Sequence, residues 1–433
     1  MLSRNRDLRI PLVMQICVFV VCVTCLAFWL PNSLADTSIY FSGGQKIVEG
    51  VDAYNGDSPF FSGPTGSAVF YFLGKLLQIE RFPFVWQLVN LLGLCFFFYF
   101  VLKSFRIQRY TVMIIGLLLL SAPVREMIVN NQVTGFAIGL SSSVIYFSSK
   151  FTGWVSTTFS LILLALLFEF KPNLVLGFVL YFLYLNRNQI KLLTFSSISI
   201  LAGFLWVTGP EVYSNWLEYI RFSGTEKLTG YESLGISSFL FENNLLNLNS
   251  ARNLGVLLFV FSLAFALSHL IRSNSELWNL AVPFLVLMFP YIHYLDFVSV
   301  VPFICVILLR KESVAALASA VIVLLYLPQP SASVSKNLLI MAVVFFVAGF
   351  QYLSGVPTKW VITSFTLGFV LIPVNFWIDT FDLIGHSLQV ATVVRAWAVI
   401  VLLLTLLSFR SLSRNRAGSI SKTEPQTIEL QHE

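Results

Sequence analysis

Long apolar stretches recur along the sequence from its first residues to Arg410, and they constrain the fold more than any other feature. A helix that crosses the hydrocarbon core of a bilayer needs about 20 mostly apolar residues, because every backbone polar group must be bonded within the segment. Stretches close to that length fall at 10–30, 83–104, 109–122, 132–149, 153–169, 172–186, 191–208, 253–271, 277–292, 294–309, 313–328, 337–354, 360–377 and 390–409. Because several are short, the sequence predicts an all-α, polytopic integral membrane protein with about 12–14 transmembrane helices.

The charge balance does not indicate a nucleic-acid-binding protein. The formal net charge is +6, but only 11% of the residues are charged and 57% are hydrophobic. Nucleic-acid binding requires a basic face on a folded soluble module, whereas the basic residues here lie in short connections between apolar stretches. We therefore predict membrane lipids as surroundings and no nucleic acid as a partner.

The distribution of lysine and arginine predicts the orientation of the chain. The first apolar stretch follows a basic leader and lacks a small-x-small cleavage site before Asp36, so we predict a retained first helix. Cytoplasmic loops carry an excess of basic residues, and with the N-terminus inside roughly 17 of the 27 lysines and arginines fall on inner connections. The sequence therefore predicts a multi-pass protein of the cell (plasma) membrane with both termini cytoplasmic.

Two long loops, 31–82 and 209–252, then lie on the non-cytoplasmic face with most of the acidic residues. We expect function on this face. The predicted domains are a multi-span membrane domain at 1–416 and a disordered cytoplasmic tail at 417–433, which is short and polar.

Each long loop contains a pattern of its own. In the first, apolar residues recur at helical spacing and predict an interfacial helix that lies along the membrane surface: Tyr40, Ile47, Val48 and Val51. The aromatic residues of the second loop, among them Tyr213, are interpreted as interfacial anchors, with a sugar-stacking platform as the alternative.

Asp36 and Lys171 are the strongest candidates for chemistry. Asp36 follows the first apolar stretch and could accept a proton from an aligned hydroxyl, or it could be the N-cap of the interfacial helix. Lys171 stands at a predicted outer boundary, where it could bind a lipid phosphate or extend toward water as membrane lysines commonly do. Pro172 suits the first turn of the next helix, whose N-terminus would also favour an anion.

A third group lies in the connection before the stretch at 132–149. Arg125 and Glu126 could form a surface salt bridge of little energetic value. The amides Asn130, Asn131 and Gln132 could bond sugar hydroxyls or cap the following helix.

His293 and Asp296 stand between two apolar stretches on the same predicted face. Four histidines are too few for an all-histidine metal cage, and the sequence leaves a mixed carboxylate site for a divalent metal open without a supporting ligand pattern. We predict no metal site and no certain cofactor. Motifs for nucleotide hydrolysis and protease chemistry are absent from the sequence.

The order of these residues resembles the polyprenol-phosphate-mannose-dependent alpha-1,2-mannosyltransferases, glycosyltransferase family eighty-seven, which have the membrane C-type glycosyltransferase fold. The resemblance covers roughly the first 190 residues best. The matching positions, in chain order, are Asp36, Tyr40, Gly50 with Tyr54, Pro64, Gln132 and Lys171-Pro172. The chain departs from the family pattern at Ala53, Gly63, Thr65, Asn131 and Asn173.

The resemblance implies a hexosyltransferase that moves a hexose, mannose in the family, from a polyprenyl-phosphate sugar donor to a glycan or glycolipid acceptor. Asp36 would deprotonate the acceptor, and the anomeric carbon would invert. Lys171 and Arg125 would stabilise the charge on the departing phosphate. The residues expected to contact substrate are Tyr40, Tyr54, Arg125, Gln132, Lys171 and His293. No nucleotide is needed.

Two other functions remain open at this point. A transporter or flippase of lipid-linked glycans would have a similar number of helices, but it should carry ionisable residues near the middle of them. The apolar stretches here are nearly free of such residues, with Arg395 as the main exception. The sequence distinguishes poorly between this transferase and a polymerase that joins lipid-linked glycans.

Overall fold

The computed structural model describes residues 10–26, 36–54, 62–79, 83–108, 110–151, 153–226, 245–272 and 294–309, with a few isolated positions between and beyond them. Within these ranges the backbone forms helices and turns and no strand, so the predicted all-α class is confirmed. His293, the predicted tail at 417–433 and, apart from isolated positions, the apolar stretches after Leu309 lie outside the described residues.

The α-helices are named here in chain order. They are α1 Leu12–Leu26, α2 Asp36–Val48, α3 Pro64–Leu76, α4 Pro83–Ser104, α5 Thr111–Leu119, α6 Ala122–Val129, α7 Thr134–Ser148, α8 Trp154–Phe170, α9 Pro172–Leu185, α10 Ile190–Thr208, α11 Pro210–Glu226, α12 Leu248–Arg272 and α13 Val301–Leu309. Two 3-10 segments, Arg187–Gln189 and Tyr294–Ser299, precede α10 and α13.

Three of the described helices are long and apolar enough to cross a membrane. They are Pro83–Ser104, Arg187–Thr208 and Leu248–Phe265. The bent pair Thr111–Leu119 and Pro123–Val129 would add a fourth span if it crosses as one unit. Shorter apolar helices coincide with α1, α7, α8 and α9. This part of the chain is therefore compatible with a polytopic membrane protein.

The first long loop contains more structure than its sequence predicted. The interfacial pattern does form a helix, α2, but this helix ends at Val48, before the last apolar residue of the pattern. Gly50 has a φ of 71°. The amides of Gly50 and Val51 bond back to the carbonyls of Ile47 and Lys46, which is a Schellman ending that favours glycine.

The helix α3 follows in the same loop and was not predicted. It packs against α2 and α8. A Cβ atom added at Gly44 would lie 2.3 Å from the carbonyl oxygen of Ser67, so glycine is what permits this close approach of α2 and α3. The segment 31–82 therefore contributes part of the folded core.

The helices α4 and α7 pack side by side and run in the same direction. The Asn90 carbonyl Oδ1 accepts a hydrogen bond from the Phe136 amide at 2.9 Å. Further along both helices, the Lys103 ammonium lies 5.2 Å from the centre of the Tyr146 ring. The C-terminal ends of α4 and α7 therefore lie next to each other.

The helices α8 and α9 form an antiparallel pair joined at Lys171. At their far ends Thr157 lies 3.4 Å from Gln189. A short connection joins α7 to α8, so α8 begins near the C-terminal ends of α4 and α7. Because α9 is antiparallel to α8, α9 ends in the same place. Gln132 and Lys171 consequently lie at the opposite end.

We predict that Gly139→Ala will destabilise the contact between α4 and α7. A Cβ atom at Gly139 would lie 2.2 Å from the Cα atom of Gly93, so the two helices would have to move apart. Overpacking of this kind typically costs about 2 kcal/mol, and we expect the free energy of unfolding to fall by about that amount in detergent micelles.

Gly203→Ala in α10 is the matched control, because nothing lies within 4 Å of a Cβ atom there. Alanine should leave stability unchanged or raise it by up to about 1 kcal/mol, since alanine favours helix more than glycine does. Equal losses at both positions would contradict the packing described for α4 and α7.

Candidate functional site

Asp36 occupies the first position of α2, and the backbone fixes this helix start to the junction between α6 and α7. The Asp36 amide donates to the carbonyl of Asn130 at 3.0 Å. The next residue, Thr37, donates its hydroxyl to the carbonyl of Asn131. Asp36 is thus a residue of the first turn, where the helix dipole favours a carboxylate, and its position is set from outside its own helix.

The Asp36 side chain meets the other residues predicted near it. Gln132 Nε2 donates a hydrogen bond to Asp36 Oδ2, although the two residues are 96 positions apart in the sequence. The Tyr40 hydroxyl contacts Gln132 Oε1 at a long 3.4 Å. Asp36, Tyr40 and Gln132 therefore lie together.

Asn131, the residue before Gln132, helps to fix the position of Gln132. Its backbone is left-handed, with a φ of 48°, a conformation that glycine and asparagine tolerate best. Its side-chain Oδ1 accepts a hydrogen bond from Gln87 Nε2 at 2.7 Å, and the same amide donates to the Ile128 carbonyl at 3.0 Å. The buried amides thus hold the entrance to α7 in a fixed shape.

Lys171 lies between α8 and α9 with its side chain only 8% exposed. Its ammonium is 5.8 Å from the centre of the Tyr40 ring. Burial by itself opposes the charge, but the neighbouring Tyr40, Asp296 and Asp36 outweigh it, so the pKa of Lys171 lies above its ordinary value. Lys171 is therefore a buried cation close to Asp36 and Tyr40. The alternative of a lysine extended toward water is wrong.

Asp296 joins the same group from the second half of the described chain. It is 0% exposed, and its Oδ2 accepts a hydrogen bond from Asn173 Nδ2 at 2.7 Å. The sequence had singled out Asp296 only as a neighbour of His293, and it had noted Asn173 only as a departure from the family pattern. We refer to Asp36, Tyr40, Gln132, Lys171, Asn173 and Asp296 as the Asp36 site.

Arg125 is buried in α6, with an exposure of 1%. Its interpretation as part of a surface salt bridge is therefore wrong. The helix α6 packs against the 3-10 segment Tyr294–Ser299, which carries Asp296. In the parts of the chain that the structure describes, no group of three or more histidine, cysteine, aspartate or glutamate residues could hold a metal ion.

A second polar cluster lies beside the Asp36 site, and the sequence did not predict it. The buried Glu169 carboxylate, near the end of α8, accepts hydrogen bonds from the Gly66 amide at 2.7 Å and from the Tyr213 hydroxyl. The Tyr213 and Thr65 hydroxyls are 2.7 Å apart. We call Ser62, Thr65, Gly66, Glu169 and Tyr213 the Glu169 cluster.

The Glu169 cluster ties the N-terminus of α3 to the chain just before Lys171. The Gly63 amide donates to the Glu169 carbonyl at 2.7 Å, and the Ser62 hydroxyl donates to the Phe170 carbonyl at 3.0 Å. A Cβ atom at Gly63 would lie 2.7 Å from the Glu169 Cβ atom. Glycine therefore permits this close approach, and a carboxylate at a helix N-terminus is favoured by the helix dipole.

Tyr54, predicted to contact substrate, belongs to the surroundings of this cluster. Its hydroxyl donates to the Ser62 carbonyl at 2.8 Å, and its ring lies 6.0 Å from that of Tyr219. Burial, with the nearby Glu169, raises the pKa of Tyr54. These contacts give Tyr54 a structural role between the first loop and α11, and Tyr213 likewise contributes its hydroxyl inside the protein.

We predict that Glu169→Ala will lower the free energy of unfolding by about 3 kcal/mol. The substitution removes the acceptor of the buried Gly66 amide and Tyr213 hydroxyl, and each such loss typically costs about 1–3 kcal/mol. Thermal unfolding in detergent micelles measures the effect.

Glu218→Ala is the matched control, because Glu218 lies exposed on α11. Its replacement should change stability by less than about 0.5 kcal/mol. If Glu169→Ala proved equally mild, the cluster would not be fixing α3 to α8.

No protein-family model, curated protein or solved structure matches the chain.

Proposed function

We propose that the protein is a membrane hexosyltransferase. It would move a hexose, with mannose as the first candidate, from a polyprenyl-phosphate donor to a glycan or glycolipid acceptor on the non-cytoplasmic face, with inversion of the anomeric carbon. The observation that carries the proposal is the Asp36 site, which combines a partly exposed carboxylate with a buried ammonium at one end of the helices.

Asp36 is suited to act as the general base. A base must be held within hydrogen-bonding reach of the acceptor hydroxyl, and it must remain accessible to it. Gln132 fixes one carboxylate oxygen, while the Asp36 side chain is only partly buried. As the hydroxyl oxygen attacks the anomeric carbon, its proton would pass to Asp36, and the bond from that carbon to the phosphate oxygen would break.

Lys171 is suited to stabilise the departing phosphate. Its raised pKa keeps the buried ammonium charged at neutral pH, and a preorganised cation in a buried site stabilises developing negative charge more than an exposed one does. The helix α9 begins at Pro172, directly after Lys171, and its N-terminus adds a partial positive charge. Asn173 and Asp296 hold the start of this helix in place.

The distribution of charged residues favours chemistry at a surface over transport. In α4, α7, α9, α10 and α12 the central turns contain no aspartate, glutamate, lysine or arginine, and the basic residues that α4, α10 and α12 carry lie near their ends. A transporter should carry polar or ionisable groups along a path through the bilayer. In these five helices the charged side chains lie near the ends, where a lipid-linked phosphosugar would lie.

A transfer assay in membranes tests the proposal. Membranes from cells that express the protein, and from matched cells that do not, receive polyprenyl-phosphate mannose labelled in the sugar. We expect labelled glycan or glycolipid only where the protein is present, with release of the polyprenyl phosphate. A parallel assay supplies a labelled lipid-linked oligosaccharide, and transfer of that oligosaccharide but not of the single hexose would indicate a polymerase. Equal labelling in both membranes would contradict the proposal.

A further inference from the structure

The end of the helices opposite the Asp36 site is basic. Three connections meet there, at 103–110, 148–153 and 185–191, and none of them contains an acidic residue. Described basic residues in these connections are Lys103, Arg106, Lys150, Arg187 and Lys191. Such a surface attracts anions, and its strength depends on how closely individual charges approach each other.

Two of these lysines converge on one tyrosine. The Lys103 ammonium, at the end of α4, lies 5.2 Å from the centre of the Tyr146 ring, and the Lys150 ammonium, after α7, lies 4.5 Å from the same ring. Lys103 also donates to the Tyr99 hydroxyl at 3.2 Å. Both lysines are exposed, so neither is forced into this position by burial.

Each ammonium is attracted to the ring, but the two groups carry the same charge and repel each other, and an anion close to both would offset that repulsion. A phosphate group accepts hydrogen bonds from ammonium and phenol groups, and it would convert this repulsion into two attractive interactions. The location fits a lipid phosphate, because α4 is a 22-residue apolar helix and Lys103 lies in its last turn, at the boundary between hydrocarbon and water.

Apolar side chains continue the same surface. Phe147 and Phe151 are 51% and 62% exposed, and their rings stack with centres 6.3 Å apart next to Lys150. A free phosphate ion would gain nothing from these rings. An anionic lipid could place its phosphate at the lysines and the upper part of an acyl chain against the phenylalanines.

We propose that Lys103, Lys150 and Tyr146 form a binding site for the phosphate of an anionic membrane lipid, with Phe147 and Phe151 in contact with its acyl chain. The bound lipid bridges the ends of the parallel helices α4 and α7 and stabilises their packing. This site is separate from the Asp36 site and does not depend on the proposed transferase activity.

Lipid binding to the purified full-length protein tests the site. Phosphatidylglycerol is titrated into zwitterionic micelles that contain the protein, and binding is followed by native mass spectrometry and by the rise in melting temperature. Since each direct pair between an exposed ammonium and the phosphate contributes up to about fivefold to binding, Lys103→Gln with Lys150→Gln should weaken binding by up to about 25-fold. Lys103→Arg with Lys150→Arg should retain it.

The control pair Arg187→Gln with Lys191→Gln removes the same charge from the same end of the helices, and both residues are exposed. Binding should change by less than about twofold in this pair, because neither residue contacts Tyr146 in the arrangement described. An equal loss of lipid binding in the two double variants would show that lipid is attracted by the basic surface as a whole and not by this site. Equal stabilisation by phosphatidylcholine, or by inorganic phosphate alone, would also overturn the proposal.

Discussion

Replacing Asp36 with asparagine should lower the rate of sugar transfer by between about 10² and 10⁴, the range that general base catalysis commonly contributes. Asparagine has the same shape, and its oxygen can still accept the hydrogen bond that Gln132 donates to Asp36. The fold and the position of α2 should therefore be retained, while the group that accepts the proton is lost. Transfer of labelled hexose by equal amounts of purified variant and wild type measures the effect.

Asp52→Asn is the matched control. Asp52 is an exposed carboxylate in the same loop, and its Oδ1 accepts a hydrogen bond from the Tyr54 amide at 2.9 Å. Asparagine can keep that bond, so activity should remain within about twofold of wild type. Full activity in Asp36→Asn would remove Asp36 from the catalytic role.

Replacing Lys171 with methionine should lower the rate constant kcat by about 10² to 10³, which is the typical loss when a preorganised electrostatic group is removed from a developing anion. The substitution also removes a buried positive charge beside Asp36 and Asp296, and removing one member of a buried ionic group commonly costs about 3–5 kcal/mol of stability. Melting temperature and transfer rate must therefore be measured on the same preparation.

Two further variants separate the loss of chemistry from the loss of folding. Lys171→Gln can still donate hydrogen bonds inside the site but lacks the charge, so we expect it to fold better than the methionine variant and to stay inactive. Lys46→Gln removes an exposed lysine from α2 and should leave both quantities unchanged. A folded Lys171→Gln protein with the wild-type kcat would show that the departing phosphate does not depend on this residue.

The sequence predicted the members of the Asp36 site better than it predicted their partners. Asp36, Gln132 and Lys171 could be found because each is a polar residue near a long apolar stretch, whereas Tyr40 was found through the helical spacing in the first loop and the order of residues in the resemblance. Asp296 has the same signal, but its partner Asn173 is 123 positions away, and no periodicity in the sequence reports a contact between them. Residue order therefore located the site, whereas its hydrogen bonds required the fold.

The helix α3 and the Glu169 cluster could not be predicted for a different reason. Hydropathy detects helices that face lipid, whereas α3 has a polar and glycine-rich first turn that is buried against protein. In the sequence Glu169 stands at the end of an apolar stretch, and nothing there reveals that the amide of Gly66 lies within hydrogen-bonding distance of its carboxylate. The same lack of tertiary information placed Arg125 at the surface when it is buried.

The most direct test of the account uses the purified protein in vesicles made from an extract of the cell membrane, which supplies the glycan or glycolipid acceptor, and a polyprenyl-phosphate mannose that carries one label in the sugar and another in the phosphate. The account predicts that the two labels separate, with the sugar recovered on the acceptor in the inverted configuration and the phosphate retained on the polyprenyl lipid. Movement of both labels together to the opposite leaflet, with the bond between sugar and phosphate intact, would contradict the account and identify a transporter.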